Sequence, residues 1–186
     1  MDIPVLETPR LRLREWQPGD RDGLVAMNAD SRVMEFFPKV AIPAESDALL
    51  ERIQNHFLAH GYGFWAVERR DGLDDTMGCF IGFIGLAVVN FDASFTPAIE
   101  IGWRLMADHW GKGLATEGAR AALKFGFETL KLERIVSFTA LQNQRSRRVM
   151  EKLGMQYRGT FEHPKLAVGH PLRLHCLYEL IRPKNP

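Results

Sequence analysis

Apolar and polar residues alternate through Leu11-Arg12-Leu13-Arg14-Glu15-Trp16, the period of a strand with one buried face. Pro18-Gly19-Asp20 then predicts a turn, with Asp20 capping a short helix that runs to about Asn28. Pro43 precedes a second helix, expected from about Ser46. Its Leu49, Leu50, Ile53 and Phe57 share one face, and Gly61 stops it. Residues 64–68 read as a strand, and 71–75 as a polar hairpin loop. Residues 79–89 predict a longer strand whose glycines point to a bulge or a close backbone approach.

A further strand is expected at 98–105, with Glu100 inside it. Downstream, Ala119, Ala122, Leu123, Phe127 and Leu130 fall on one helical stripe. Residues 134–139 are strand-like, Asn143 opens a helix that Gly154 closes, and 155–161 and 172–181 are the last strands. Strand follows strand in the first half, which favours antiparallel pairing. Strand and helix alternate in the second. The pattern predicts one α/β domain over residues 1–186, a mixed sheet with helices on its faces.

Composition changes this picture little: 46% hydrophobic and 25% charged residues are ordinary for a globular chain. Charge balance excludes more. The 24 Lys and Arg nearly cancel the 23 Asp and Glu, which argues against a dedicated nucleic-acid or membrane-surface protein and leaves room for a local basic pocket. The longest apolar run, about 77–89, is shorter than the roughly 18 residues a membrane span needs. Met1-Asp2-Ile3-Pro4 carries no signal pattern, so a cytoplasmic protein is expected. Cys79 and Cys176 have no metal or redox spacing. Both sit in apolar runs and are expected as buried structural thiols, with no metal site.

Candidate chemistry concentrates in Trp110-Gly111-Lys112-Gly113-Leu114-Ala115-Thr116-Glu117, between a strand and an amphipathic helix. Glycines let consecutive N–H groups converge, and the following helix adds free N–H donors and its positive dipole end. A phosphate-bearing ligand suits such a site. A nucleotide P-loop is rejected, because Met106 and Gly113 stand where it needs Gly and Ser or Thr. A dinucleotide fingerprint is weak: Thr116 replaces its third glycine, and no carboxylate follows Thr139-Ala140. Taken alone, the motif fits a plain turn as well as an anion site.

Residues 105–117 resemble the acyl-CoA pyrophosphate loop of the GNAT acetyltransferases, here as Trp110-x-x-Gly113-x-Ala115. The Trp resembles the RimJ/RimL-type branch of ribosomal-protein N-terminal acetyltransferases. So do Thr8-Pro9-Arg10-Leu11-Arg12-Leu13-Arg14, Glu100-Ile101-Gly102-Trp103-Arg104-Leu105, and Asn143-x-x-Ser146 followed by Met150-Glu151-Lys152-Leu153-Gly154-Met155. The resemblance spans nearly the whole chain in order. It implies a GNAT fold: a mixed, mostly antiparallel sheet of six to seven strands flanked by about four helices.

The resemblance also implies acetyl transfer from acetyl-CoA to a primary amine by direct attack, with no covalent enzyme intermediate. Backbone groups of Trp103, Arg104 and Leu105 would hold the pantetheine arm, with a backbone N–H near Trp103 as oxyanion donor. The diphosphate would lie on the turn formed by Trp110, Gly111, Lys112, Gly113, Leu114, Ala115 and Thr116. Asn143 and Ser146 read by spacing as a helix cap, whereas the resemblance turns them toward pantetheine and thiol. Met150 stands where many relatives place a Tyr acid, so Ser146 becomes the candidate partner of the departing thiolate.

Glu100 is the candidate base, beside the plain reading of a charged residue on a half-buried strand. A peptide α-amine, with a pKa near 8, needs only about 1 kcal/mol to be neutral at pH 7, and a lysine amine roughly 4.6. Arg145, Arg147, Arg148 and Lys152 read chiefly as a solvated helix face, His175 as a packed strand histidine, and Trp16, Phe36, Phe37 and Trp65 as core or groove wall. The partners expected are acetyl-CoA and an amine, either a protein N-terminus or a small molecule such as an aminoglycoside or polyamine. Nucleic acid and membrane are not expected, and a homodimer is admitted. The alternatives are a non-catalytic acyl-CoA-binding module and, more remotely, a nicotinamide oxidoreductase.

Overall fold

The computed structural model describes residues 3–70 and 79–183. The hairpin loop expected at 71–75 lies outside them. The chain runs β1 (Leu6–Glu7), β2 (Leu11–Arg14), α1 (Asp20–Ala29), α2 (Pro43–His60), β3 (Phe64–Arg69), β4 (Phe80–Val88), β5 (Ile99–Leu105), α3 (Leu114–Lys124), β6 (Arg134–Ala140), α4 (Gln144–Lys152), β7 (Gln156–Glu162) and β8 (Leu174–Ile181). Eight strands form one sheet in the order β1-β2-β3-β4-β5-β6-β8-β7. The strand beyond the expected number is β1, too short for alternation to reveal.

Neighbouring strands are antiparallel except β5 and β6, which run parallel. Their ladder is a single bridge, Glu100 to Val136. Next to it the Ser137 hydroxyl donates to the Ile101 carbonyl at 2.9 Å, a side chain standing in for backbone pairing. Beyond that point the edge of β5 from Gly102 to Leu105 has no ladder with β6.

Alternation along β5 sorts its side chains between the two faces. Trp103 pairs with Ile84, on which Gly118 of α3 directly lies. Arg104 pairs with Phe83 and donates to Asn28 of α1. Ile101, Trp103 and Leu105 therefore share the α3 face, and Glu100, Gly102 and Arg104 the α1 face. The core is continuous across the sheet, with Leu11, Leu13, Trp65, Ile84, Leu86, Ile101, Leu114 and Ile135 fully buried.

Several local expectations change. Gly19 occupies the cap of α1, and Asp20 is its first helical residue. The Asp20 carboxylate is taken by the Gln17 N–H at 2.8 Å and by Arg14, at 2.7 and 2.9 Å, in a buried pair that Glu68 joins. Helix α2 begins at Pro43 rather than Ser46, because a missing N–H is harmless in the first turn. The stripe expected to Leu130 is carried past α3 by a π-helical turn, Phe125–Thr129, which keeps Phe127 buried. Cys176 is buried as expected. Cys79 is exposed: it stands one residue before β4, where no layer covers it.

Candidate functional site

A short 3₁₀ turn, Ala107–His109, leads from β5 to Trp110. Gly111 and Gly113 then adopt φ of +73° and +79°, a region that disfavours any side chain. Gly113 caps α3, and its carbonyl accepts the first helical bond from the Glu117 N–H. The N–H groups of Leu114, Ala115 and Thr116 thus lack helical acceptors and lie at the positive end of the dipole. A Cβ built on Gly111 would meet nothing within 4 Å, so the turn is open on that side.

Residues far away in sequence brace this turn. Arg10 donates from Nη1 to the Lys112 carbonyl at 2.9 Å and from Nε to Glu117 at 2.7 Å. Glu117 also accepts from the Thr8 hydroxyl at 2.6 Å and the Arg10 N–H at 2.9 Å. Burial opposes ionisation of Glu117, but these bonds outweigh it and hold the carboxyl below its ordinary value. The Trp110 indole donates to the Leu105 carbonyl at 2.8 Å, and its ring carries the Arg145 guanidinium at 4.6 Å.

Trp103 and Thr139 each lie three residues beyond the Glu100–Val136 bridge, about 10 Å along their strands. Asn143 reaches Thr139 there. Its Oδ1 accepts the Ser146 N–H at 3.1 Å, as expected for a cap, and its Nδ2 donates to Thr139 Oγ1 at 3.0 Å and to Ser146 Oγ at 3.2 Å. Because Ser146 Oγ accepts from Asn143, its hydroxyl proton can point elsewhere. Trp103, Arg104, Leu105, Asn143, Ser146 and the glycine turn therefore gather at the C-terminal end of the parallel pair. Met150 is buried in the core.

Glu100 belongs to the same gap but faces the other side of the sheet. Burial pushes its carboxyl up to about 7, and the positive charge of Lys165 offsets this only in part. An aromatic group, Phe91, Phe95, Phe138 and Phe161, packs around Val136, the bridge partner of Glu100. His163 and His175 join these rings, 4.8 Å apart. Burial lowers His175, and burial with the charges of His175 and Lys165 lowers His163 to about 4, so both are neutral at pH 7. His175 is a packed strand histidine, its Nδ1 at 3.2 Å from the Arg173 carbonyl oxygen.

The basic cluster of α4 divides. Arg148 and Lys152 are exposed, and Arg147 bonds the Tyr178 hydroxyl. Arg145 pairs with Glu35 and lies 5.6 Å from the Phe36 ring, while Phe37 stacks on Arg104 at 4.2 Å. The α1–α2 connection thus wraps the end of β5, with the adjacent Phe36 and Phe37 making its ring contacts to Arg145 and Arg104. Among the described residues, no group of three or more His, Cys, Asp or Glu could hold a metal ion, and no helix is long and apolar enough to cross a membrane.

Comparison with known proteins gives the family of the chain. The acetyltransferase (GNAT) domain model matches residues 10–156. The chain belongs to the GNAT acetyltransferase family. It is 27% identical over 185 residues to the uncharacterized N-acetyltransferase YoaA of Bacillus subtilis, covering 98% of this chain and 99% of that protein. It is 31% identical over 169 residues to the FsC-acetyl coenzyme A-N(2)-transacetylase of Aspergillus fumigatus, covering 85% of this chain and 67% of the relative. A crystal structure of an acetyltransferase from Agrobacterium tumefaciens superposes with a TM-score of 0.76 at 27% identity, covering 97% of this chain and 95% of that one.

Proposed function

We propose that this GNAT protein transfers the acetyl group of acetyl-CoA to a primary amine by direct attack. The observation that carries the reading is the unladdered β5 edge ending in the Gly111–Gly113 turn, with a carboxyl poised near 7 on the opposite side of the same gap. The N–H groups at the head of α3 hold the diphosphate. The backbone of Trp103, Arg104 and Leu105 aligns the pantetheine arm. The thioester then lies in the gap between β5 and β6.

Glu100, on the α1 face, takes a proton from the acceptor ammonium. The nitrogen lone pair attacks the carbonyl carbon, and a backbone N–H near Trp103 stabilises the oxyanion that forms. Collapse of the tetrahedral species breaks the carbon–sulfur bond, the nitrogen's remaining extra proton passes to the departing sulfur to give the thiol, and Ser146, oriented by Asn143, donates a hydrogen bond to that sulfur as it leaves. An ordinary thiol pKa is about 8.5, so that bond supplies much of what the leaving group needs. The Trp110 position and the Asn143–Ser146 pair favour the RimJ/RimL-type arrangement of these parts.

Ser146→Ala tests the assignment against a module that only binds the coenzyme. An enzyme of this design loses kcat by about tenfold to a hundredfold while CoA affinity, read by calorimetry, stays within about twofold. Unchanged kcat removes Ser146 from the chemistry. No turnover by the unaltered protein over a broad amine panel leaves the binding module as the better reading.

A further inference from the structure

Arg104 is a cation in an unusual position. Its guanidinium lies between two rings, 4.2 Å from the centroid of Phe37 and 5.2 Å from that of Phe83. Nη1 donates to Asn28 Oδ1 at 2.7 Å, and Asn28 is itself fixed by donating to Ser46 at 3.0 Å. Nε is buried and has no acceptor. No carboxylate of the described residues lies within ion-pair distance of this half-buried side chain, whereas Arg14, on a strand and more deeply buried, has two. Burial without a counter-ion lowers the guanidinium to about 10.

A partly desolvated charge without a counter-ion is costly, and proteins keep one where something else supplies the partner. The geometry says what kind of partner. Nη1 is occupied, so the edge without a partner is the side-on pair of Nε and Nη2, of which Nε is enclosed and is reached only if the packing over it shifts. That edge presents two parallel N–H groups and matches the two oxygens of a carboxylate. Its place in the fold says which ligand. Arg104 faces α1, with Glu100 on the same side of the same strand about 13 Å away. Between them Gly102 carries no side chain, and the Phe64 ring lies where one would be, 3.1 Å from its Cβ position. The turn proposed for the diphosphate heads α3 on the other face, so coenzyme phosphates do not reach this edge.

Given the reading as an acetyl-CoA-dependent N-acetyltransferase, we infer that the acceptor is an amine that also bears a carboxylate. The carboxylate is held side-on by Arg104 while the nitrogen lies toward Glu100. Phe37 and Phe64 give this subsite apolar walls, so a small amino-acid-like molecule fits it better than a polycation, whose charge Arg104 would repel.

The test measures CoA release and acetylated product for matched amines that differ in one group: α- and ω-amino acids of increasing length, and their amides and methyl esters. The wild-type protein should favour the free acids in kcat/KM by at least about tenfold. Arg104→Gln should bring that preference close to one, mainly through KM, and Arg104→Lys should restore part of it, since charge returns without the fork. Equal or better turnover of amides and esters by the wild type, or a preference that survives in Arg104→Gln, overturns the subsite and leaves the transferase reading intact. Because the wild-type comparison decides on its own, a variant that fails to fold does not shelter the idea. Calorimetric binding of the acids by wild type and not by Arg104→Gln, with no amine acetylated, sinks the transferase reading and keeps the subsite. Neither binding nor turnover overturns both.

Discussion

Replacing Glu100 with Gln removes one charge and almost no volume, and should move activity and stability in opposite directions. Burial raises the Glu100 carboxyl from an ordinary 4.5 to about 7. The folded value lies above the unfolded one, so folding favours the protonated form. That advantage is complete below about 4.5 and is lost as pH rises through about 7. At pH 8 the half-buried carboxylate costs about 3.5 kcal/mol, a gap of about 2.5 pH units at about 1.4 kcal/mol each. Lys165 already reduces this, and His163, just past β7, and His175 on β8 are neutral there. Gln carries no charge, so at pH 8 the variant should melt on the order of 10 °C above the wild type, with the difference closing as pH falls toward 4.5. Catalysis should suffer. Wild-type kcat/KM should climb about tenfold between pH 6 and pH 8 as Glu100 ionises, and Glu100→Gln should lose that limb with a fall of about a hundredfold or more. What remains is the ionisation of the acceptor itself. Calorimetric melting and pH–rate profiles of the two proteins decide the matter. A variant that keeps the limb near 7, or that melts no later than wild type at pH 8, refutes the assignment of Glu100 as a desolvated base.

Gly111→Ala introduces a side chain at φ +73° without any clash. It should cost about 1 kcal/mol of stability in urea unfolding and raise KM for acetyl-CoA several-fold with kcat nearly unchanged. Arg10→Ala removes the bond that fixes the Lys112 carbonyl and strips Glu117 of its cation. The expected result is a higher KM for acetyl-CoA and about 1–2 kcal/mol of lost stability. Asp20→Ala leaves the buried Arg14 with Glu68 alone and should destabilise by about 3 kcal/mol in the same assay, with steady-state kinetics unchanged at temperatures where the variant is folded. A loss under 1 kcal/mol shows that the pair does not hold α1 against β2.

The strands and helices were legible wherever burial imposes a period. All seven strands read from the pattern are present, and Gly61 and Gly154 close their helices with φ of +75° and +80°. The misses have more than one cause: β1 is too short to show a period, Pro43 hides the start of α2, and the others turn on surroundings outside the local run. Asp20 looked like a cap because its neighbours in the chain suggest one, and Arg14 six residues earlier takes it instead. Cys79 looked buried because an apolar run continues through it, although no layer covers that end of β4. The glycine turn was visible in the sequence. Its brace, Arg10 with Glu117, joins positions 107 residues apart and was not. Arg104 entered the reading for its backbone alone, since a guanidinium between two rings is a tertiary fact.

One topological event explains why these groups meet. A sheet of antiparallel neighbours turns back through short connections, but β6 runs parallel to β5, and a parallel neighbour requires a crossover. The crossover here is α3, and its head must lie at the C-terminal end of β5. The same parallel pair is held by one bridge, so the strands leave an unladdered edge where the helix head delivers its free N–H groups. The proposed anion site and the unladdered edge thus arise together. Alternation along β5 does the rest. Within five residues it sends Glu100 and Arg104 to the face where α1 and the Phe37 loop stand, while Asn143 and Ser146 attach at Thr139 on the α4 side. A thioester entering from one side and an amine from the other would meet in the gap, each beside the group suited to its proton.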